Sequence, residues 1–536
     1  MNPHASTQCA GRLLVALAAI TSIFLAVGCG SSSAPPPPNQ VGFSNSSLSG
    51  TYVFSSQGAD LYGYPVAMAG TLVANGTGGN NSITGGTIDI IDPDPNFSPP
   101  SQVAQSITGG SYYVNTDGRG EASLTSAYGT YVLDFVLTST SHGLVAEFDG
   151  YGGGSGTIDL QTAVASLSQL AGPYAFSLAG SDSALNPFAA VGAFTLNSSG
   201  IITEGNGIED FNDSGGVGSE SLTGTATMGS GTGPESITFP TSSFPNAVFD
   251  FYPIDATHWK IIETDYNDFL AGDVFTQTGF SSIPTNTPLA FIMSGGISAA
   301  IANAGYMTYN GTSFSGTEDV NNNGSYVPQT GFTGQPGAVG AVGGRVVVTL
   351  TDFTPANAIV VYPSSGGLLM LETDALNVTS GAAYAQTPGA ALAASQAYGF
   401  NLSAYNITNE YEENAIAQFT TTSTGLPGVV DISDNYDTGS IDNPILNSLA
   451  LGGTYTLDSP ATGRGEATTT ASGSAYIGFN FYAVTSSQFL VLETDTAQVG
   501  AGIFESQTTP GAGGAVKSRV AIVHPAVRPH GALRRK

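Results

Sequence analysis

Thiols, bases and indoles are nearly missing from this chain of 536 residues, which has two Cys, eleven Lys and Arg together, and a single Trp. Both cysteines, Cys9 and Cys29, fall in the first thirty residues, so everything beyond them lacks a disulfide framework, a thiolate zinc site and a cysteine nucleophile. Between Cys29 and Lys517 the only bases are Arg119, Lys260, Arg345 and Arg464, whereas all 40 acidic residues lie there, which puts that stretch near −36. Such a charge repels nucleic acid and anionic headgroups, so neither is an expected partner of the body. Charged residues make up only 10% and apolar ones 41%, which argues against a charged disordered chain. No helical pattern of useful length is present. Instead, 71 Gly punctuate runs rich in Val, Thr, Tyr and Phe, the composition of strands and tight turns.

Against that background one pattern recurs four times: Gly-x-x-Asp, then Glu-x-Asp some 55–60 residues on, then an apolar or aromatic residue shortly before Gln. The copies are Gly86-Asp89, Glu147-Asp149 and Gln161; Gly207-Asp210, Glu263-Asp265 and Gln277; Gly316-Asp319, Glu372-Asp374 and Gln386; and Gly428-Asp431, Glu493-Asp495 and Gln507. Each opens alike, with Tyr52/Phe54, Tyr174/Phe176, Leu289/Phe291 and Tyr398/Phe400. A period above a hundred residues means whole small modules, since solenoid repeats run about 20–50 residues. The expected modules span 45–163, 167–279, 285–387 and 395–508. Alternation and turn clusters give each about eight strands linked by hairpins. The fold class is therefore all-β, four tandem antiparallel meanders, and closure into small up-and-down barrels removes the exposed edges. Two-sheet sandwiches are the alternative. Strand count and order resemble calycin barrels, although no lipocalin Gly-x-Trp signature is present and the resemblance implies no ligand.

Residues 1–29 carry Arg12, an apolar run Leu13–Val27 and then Gly28-Cys29-Gly30. The run is short for a membrane span and suits a signal-peptide core. The segment resembles a bacterial lipoprotein signal, which implies a diacylglyceryl anchor on Cys29 and, with Gly30 rather than Asp next, an outer-membrane lipoprotein facing the cell surface or periplasm. Residues 30–44 form a Ser/Pro-rich tether and 509–536 a basic tail expected to be disordered. Signal, tether and tandem modules together are similar to uncharacterised bacterial repeat lipoproteins, a likeness that implies no activity.

Three motifs could carry chemistry. Three modules place a Gly-Arg about 28 residues before the Glu, and the second, which has Gly233-Pro234 there, instead has Lys260 beside it. This predicts one ion pair per module: Arg119 with Glu147, Lys260 with Glu263, Arg345 with Glu372, and Arg464 with Glu493. The turn after Gly-x-x-Asp is rich in oxygen ligands. Asp319, Asn321 and Asn323 read as the opening half of a calcium loop, with Asp431 and Asp434 in the fourth copy, so calcium is a possible ion while no other cofactor is expected. The loop lacks its closing Glu, having Thr330, and turns use the same residues for local bonding. Finally, Glu-x-Asp resembles the start of an active-site strand in a β-sandwich glycosidase family, but the further Glu such enzymes need is absent from all four copies. His142 and His258 are expected at turns or rims. No Gly-x-Ser-x-Gly elbow or phosphate loop occurs, and the chain reads as a non-enzyme. Display, adhesion or binding of a polysaccharide or protein is the expected role, with small-ligand carriage inside the barrels as the competitor.

Overall fold

The computed structural model describes residues 42–510 except 96, 98–100, 151, 215, 230–233, 240–246, 352–356, 409, 435–444, 460–461 and 472–475. Cys29, most of the tether and residues 511–536 lie outside the described residues, as does the side chain of Asp434.

All four modules are antiparallel barrels built on one plan. In the fourth, strands Ala397–Asn406, Tyr411–Thr420, Gly428–Asp434, Ile445–Ser459, Arg464–Ala471, Tyr476–Thr485, Gln488–Glu493 and Gln498–Ser506 pair in order, and the last closes on the first. The third closes in the same way between Pro288–Gly296 and Thr379–Ala385. The first barrel runs from Ser49–Asp60 to Gly152–Leu160, and the second from Gly172–Asp182 to Asp268–Thr276. The fourth strand of each is long and bent. Its first part pairs with the strand before it and its second part with the strand after, as in Gly216–Ser221 with Gly224–Thr227, or Ser101–Ser106 with Gly109–Val114.

The recurrent opening residues have a packing reason. Tyr52 and Phe54, two apart on a strand, face the same side and enter the first barrel's core, as Tyr174 and Phe176 enter the second. Phe54, Phe176 and Phe291 each lie opposite a glycine of the next strand, at Gly70, Gly192 and Gly305. A Cβ on any of these glycines would meet the ring. Another glycine recurs five residues before each terminal Gln, at Gly156, Gly272, Gly381 and Gly502, where a Cβ would run into the first strand's carbonyl.

The outer faces do not all meet water. While Val145, Leu368 and Met370 point into their own barrels, their strand neighbours Leu144, Ala146, Leu369 and Leu371 join one apolar cluster containing residues from all four modules. The four modules are therefore not independent of one another. The four barrels belong to one compact unit, with strands buried on both faces where barrel meets barrel.

Candidate functional site

The repeated Gly-x-x-Asp sits on the third strand of each barrel, and its carboxylate leaves the barrel to reach the next one. Asp210 of the second barrel takes a two-pronged contact from Arg345 of the third, with Nε at 2.6 Å and Nη2 at 2.5 Å, and accepts from Tyr362 at 2.5 Å. Asp319 of the third takes Arg464 Nε at 2.8 Å, Asn480 at 2.7 Å and Tyr482 at 2.6 Å, all from the fourth. Asp431 of the fourth is met by Arg119 of the first at 2.9 Å. Asp89 of the first receives Tyr252 of the second at 2.5 Å. The order of contacts thus returns to its start, and the barrels form a closed cycle of four seams.

In three copies the aspartate stands at a β-bulge. Its other oxygen accepts the backbone N–H of Ala104, Gln329 or Ser448, residues held at φ 51°, 49° and 56°. One carboxylate therefore satisfies a strained backbone donor and bridges to a neighbour, which explains why an acid rather than an amide recurs there.

The seams carry further repeated contacts. The terminal Gln and the Thr after it dock on the following barrel: Gln161 donates to the Pro253 carbonyl at 2.8 Å, Gln386 to Ala483 at 2.6 Å and Gln507 to Leu137 at 2.9 Å. The backbone N–H groups of Thr162, Thr278, Thr387 and Thr508 bond to Ile254, Pro363, Val484 and Thr138. Two residues past the aspartate, Asn212 donates to the carbonyls of Glu372, Asp374 and Asn377, and Asn321 to those of Glu493, Asp495 and Gln498. The turn read as half a calcium loop is thus occupied in docking at Asp319 and Asn321. Asn323 takes the left-handed conformation of a turn, at φ 49°. Among the described residues no group of three His, Cys, Asp or Glu is placed to hold a metal ion.

The expected Arg–Glu pairs are replaced by Arg–Asp pairs. Arg119 also contacts Asp117 at 3.0 Å, Arg464 also contacts Asp458 and Glu466, and Lys260 pairs with Asp273 at 2.7 Å across its own hairpin. Glu147, Glu263, Glu372 and Glu493 are buried, and none is in an ion pair with a base among the described residues. Burial, followed by the neighbouring Asp149, drives the Glu147 carboxyl well above its usual range, and Glu493 follows suit with Asp495 and Glu413 beside it. Glu372 is pushed up to about 8 by burial, although Thr379 donates to it at 2.6 Å. The reason is geometric. The glutamate ends the seventh strand, whereas the Arg begins the fifth and is aimed at the seam.

The histidines are likewise not at a rim. His142 is buried between Asp159 at 2.7 Å and Glu505 of the fourth barrel at 3.0 Å. Burial alone would lower its pKa, but the two carboxylates lift it to about 10. His258 lies 2.6 Å from Asp273.

No protein-family model matches this sequence, and no curated protein matches it. Among solved structures, two crystal structures of the vaccine antigen Transferrin Binding Protein B from Haemophilus parasuis Hp5, a single and a double mutant, were aligned with it. The first is 10% identical, covers 72% of this chain and 82% of that chain, and gives a TM-score of 0.18. The second is 9% identical, covers 90% and 98%, and gives 0.17. A similarity at that level carries no argument about fold or function here.

Among the described residues, buried apolar side chains pack inside each barrel, and in the second and fourth the space left is small. Phe400, Phe419, Phe479 and their neighbours leave about 10 Å³ free in the fourth barrel, and the second keeps about 20 Å³ beside Glu209, Glu263 and Asp268. Each space is about the size of one water molecule.

Proposed function

We propose that this chain is a lipid-anchored, non-catalytic binding or display protein of the bacterial outer membrane, held through Cys29, which contacts a polysaccharide or protein through its loops and outer faces. The observation that carries this reading is the packed interior of the second and fourth barrels: spaces of about 20 and 10 Å³ there leave no room for a small ligand, which favours recognition on the exterior. Exposed aromatics such as Tyr62, Tyr113 and Tyr128 suit contact with sugar rings or protein. The seams hold the barrels as one body, so several weak contacts would act in fixed geometry rather than along a flexible string. The buried position of each Glu in its Glu-x-Asp pair speaks against a glycosidase, because the acid would have to reach a glycosidic oxygen.

The full chain, expressed in a bacterial host fed labelled palmitate and purified in detergent, tests this reading. Label that is lost in Cys29→Ala, together with saturable binding to an outer-membrane polysaccharide or surface protein without its cleavage, supports it. Unlabelled protein, or hydrolysis of a bound glycan, overturns it.

A further inference from the structure

One of the four seams has no arginine among the described residues. Pro234 stands where the other modules have Arg; Arg119 serves Asp431, Arg345 serves Asp210 and Arg464 serves Asp319, while Lys260, which does belong to this seam, is held by Asp273 and with His258 acts across it on Asp159 rather than on Asp250. Asp89 instead meets a second carboxyl, Asp250, in hydrogen-bonding contact. Both are buried, and Val53, Ala67, Ala69, Ile91, Ile254 and Ile262 form an apolar cluster at this seam.

Among the described residues the titratable groups that act on the pair are acidic, because Lys260, opposite Tyr252 on the next strand, and His258 are both engaged by Asp273. Strand Ala247–Asp255 contributes Asp250 and Tyr252, and the adjoining strand Glu235–Phe239 contributes Glu235, whose carboxyl Asp250 helps to raise, and Ser236, which hydrogen-bonds to Asp250. Facing Asp89 from its own barrel is the backbone N–H of Ala104. Two carboxylates cannot both stay ionised in such a place without a cation, whereas one shared proton turns their repulsion into a hydrogen bond.

We infer that the seam between the first and second barrels is locked by a proton shared between Asp89 and Asp250, standing where the other seams use a guanidinium, and that it opens before them as the pH rises. Burial, then Asp250, pushes Asp89 up to about 8, and burial pushes Asp250 up to about 6. Between about pH 6 and 8 the closed pair holds one proton, which an opened seam would release above about pH 4. The lock is therefore complete in acid and is lost as the pH rises through about 8. Opening should grow roughly tenfold per pH unit from about pH 6 to that point, the limit for release of one proton, and level off above it.

Hydrogen exchange of the full chain from pH 5 to 9.5, corrected for intrinsic exchange rates, reads this in strands Pro65–Asn75 and Ala247–Asp255. The expected result is protection that falls by about a hundredfold from pH 6 to 8 in wild type and stays flat in Asp250→Asn, whose amide donates to an ionised Asp89. Strands Ala300–Tyr309 and Tyr476–Thr485, at the Arg464 seam, should not differ between the two proteins. Asp89→Asn gives the same comparison should the first variant fail to fold. A flat wild-type profile at this seam, or equal slopes in wild type and both variants, overturns the inference.

Discussion

The aspartate of Gly-x-x-Asp decides most of the electrostatics. Asp319 is fully buried and holds Arg464, Asn480 and Tyr482 on one oxygen. Removing the base leaves an uncompensated buried carboxylate, so Arg464→Gln should cost about 3–5 kcal/mol. Adding Asp319→Asn should restore part of that loss, and the two changes should be strongly non-additive in a denaturant-unfolding cycle. The cycle of Arg464→Gln with Glu493→Gln should instead be additive, because Glu493 sits with Asp495 and Glu413 rather than with the arginine. Coupling between Arg464 and Glu493 above about 0.5 kcal/mol would contradict this assignment.

Within each barrel the glycines set how closely strands approach. Gly192 lies opposite Phe176, and an added Cβ would meet both that ring and the Ile208 carbonyl. Gly381 faces the Ile292 carbonyl and the Met293 backbone in the same way. Neither needs a positive φ, so the requirement is space rather than backbone conformation. Gly381→Ala should cost about 1–3 kcal/mol through displaced backbone. At exposed Gly129, where a Cβ would meet nothing, alanine should change stability by less than about 0.5 kcal/mol. Chemical denaturation of the two variants beside wild type checks the contrast, and equal costs would refute it.

Across the whole molecule the cycle of seams couples all four barrels, and its titratable groups mostly pull one way. Glu209, Glu372 and Glu412, pushed up to about 8 by burial, keep protons that an unfolded chain releases above about 4.5. His142 keeps its proton up to about 10, against about 6.5 unfolded. Each contribution fades as the pH rises through those windows. Asp159 and Asp273 act oppositely. Burial favours their neutral form, yet His142 beside the first and Lys260 beside the second hold them below the usual range, and their contribution is lost as the pH falls below about 4. Calorimetry should show one unfolding transition, with Tm highest near pH 5 and falling steadily toward pH 9. Several separate transitions, or a Tm that rises toward alkaline pH, would argue against one coupled body.

The residue pattern by itself determined the four modules, their strands and the recurrent pair that opens each, because period-two alternation and turn chemistry are local and survive in one dimension. It also singled out the Asp, Arg, Gln and Asn positions, and it linked the loss of Arg in the second module to a change in charge pairing. Which acid meets which base was settled only by the tertiary structure. Arg119 and Asp431 lie 312 residues apart and touch because the fourth barrel returns to the first. A repeated motif contacts an equivalent motif on its neighbour rather than on itself, and when every module carries the same residues, spacing along the chain cannot tell those two arrangements apart.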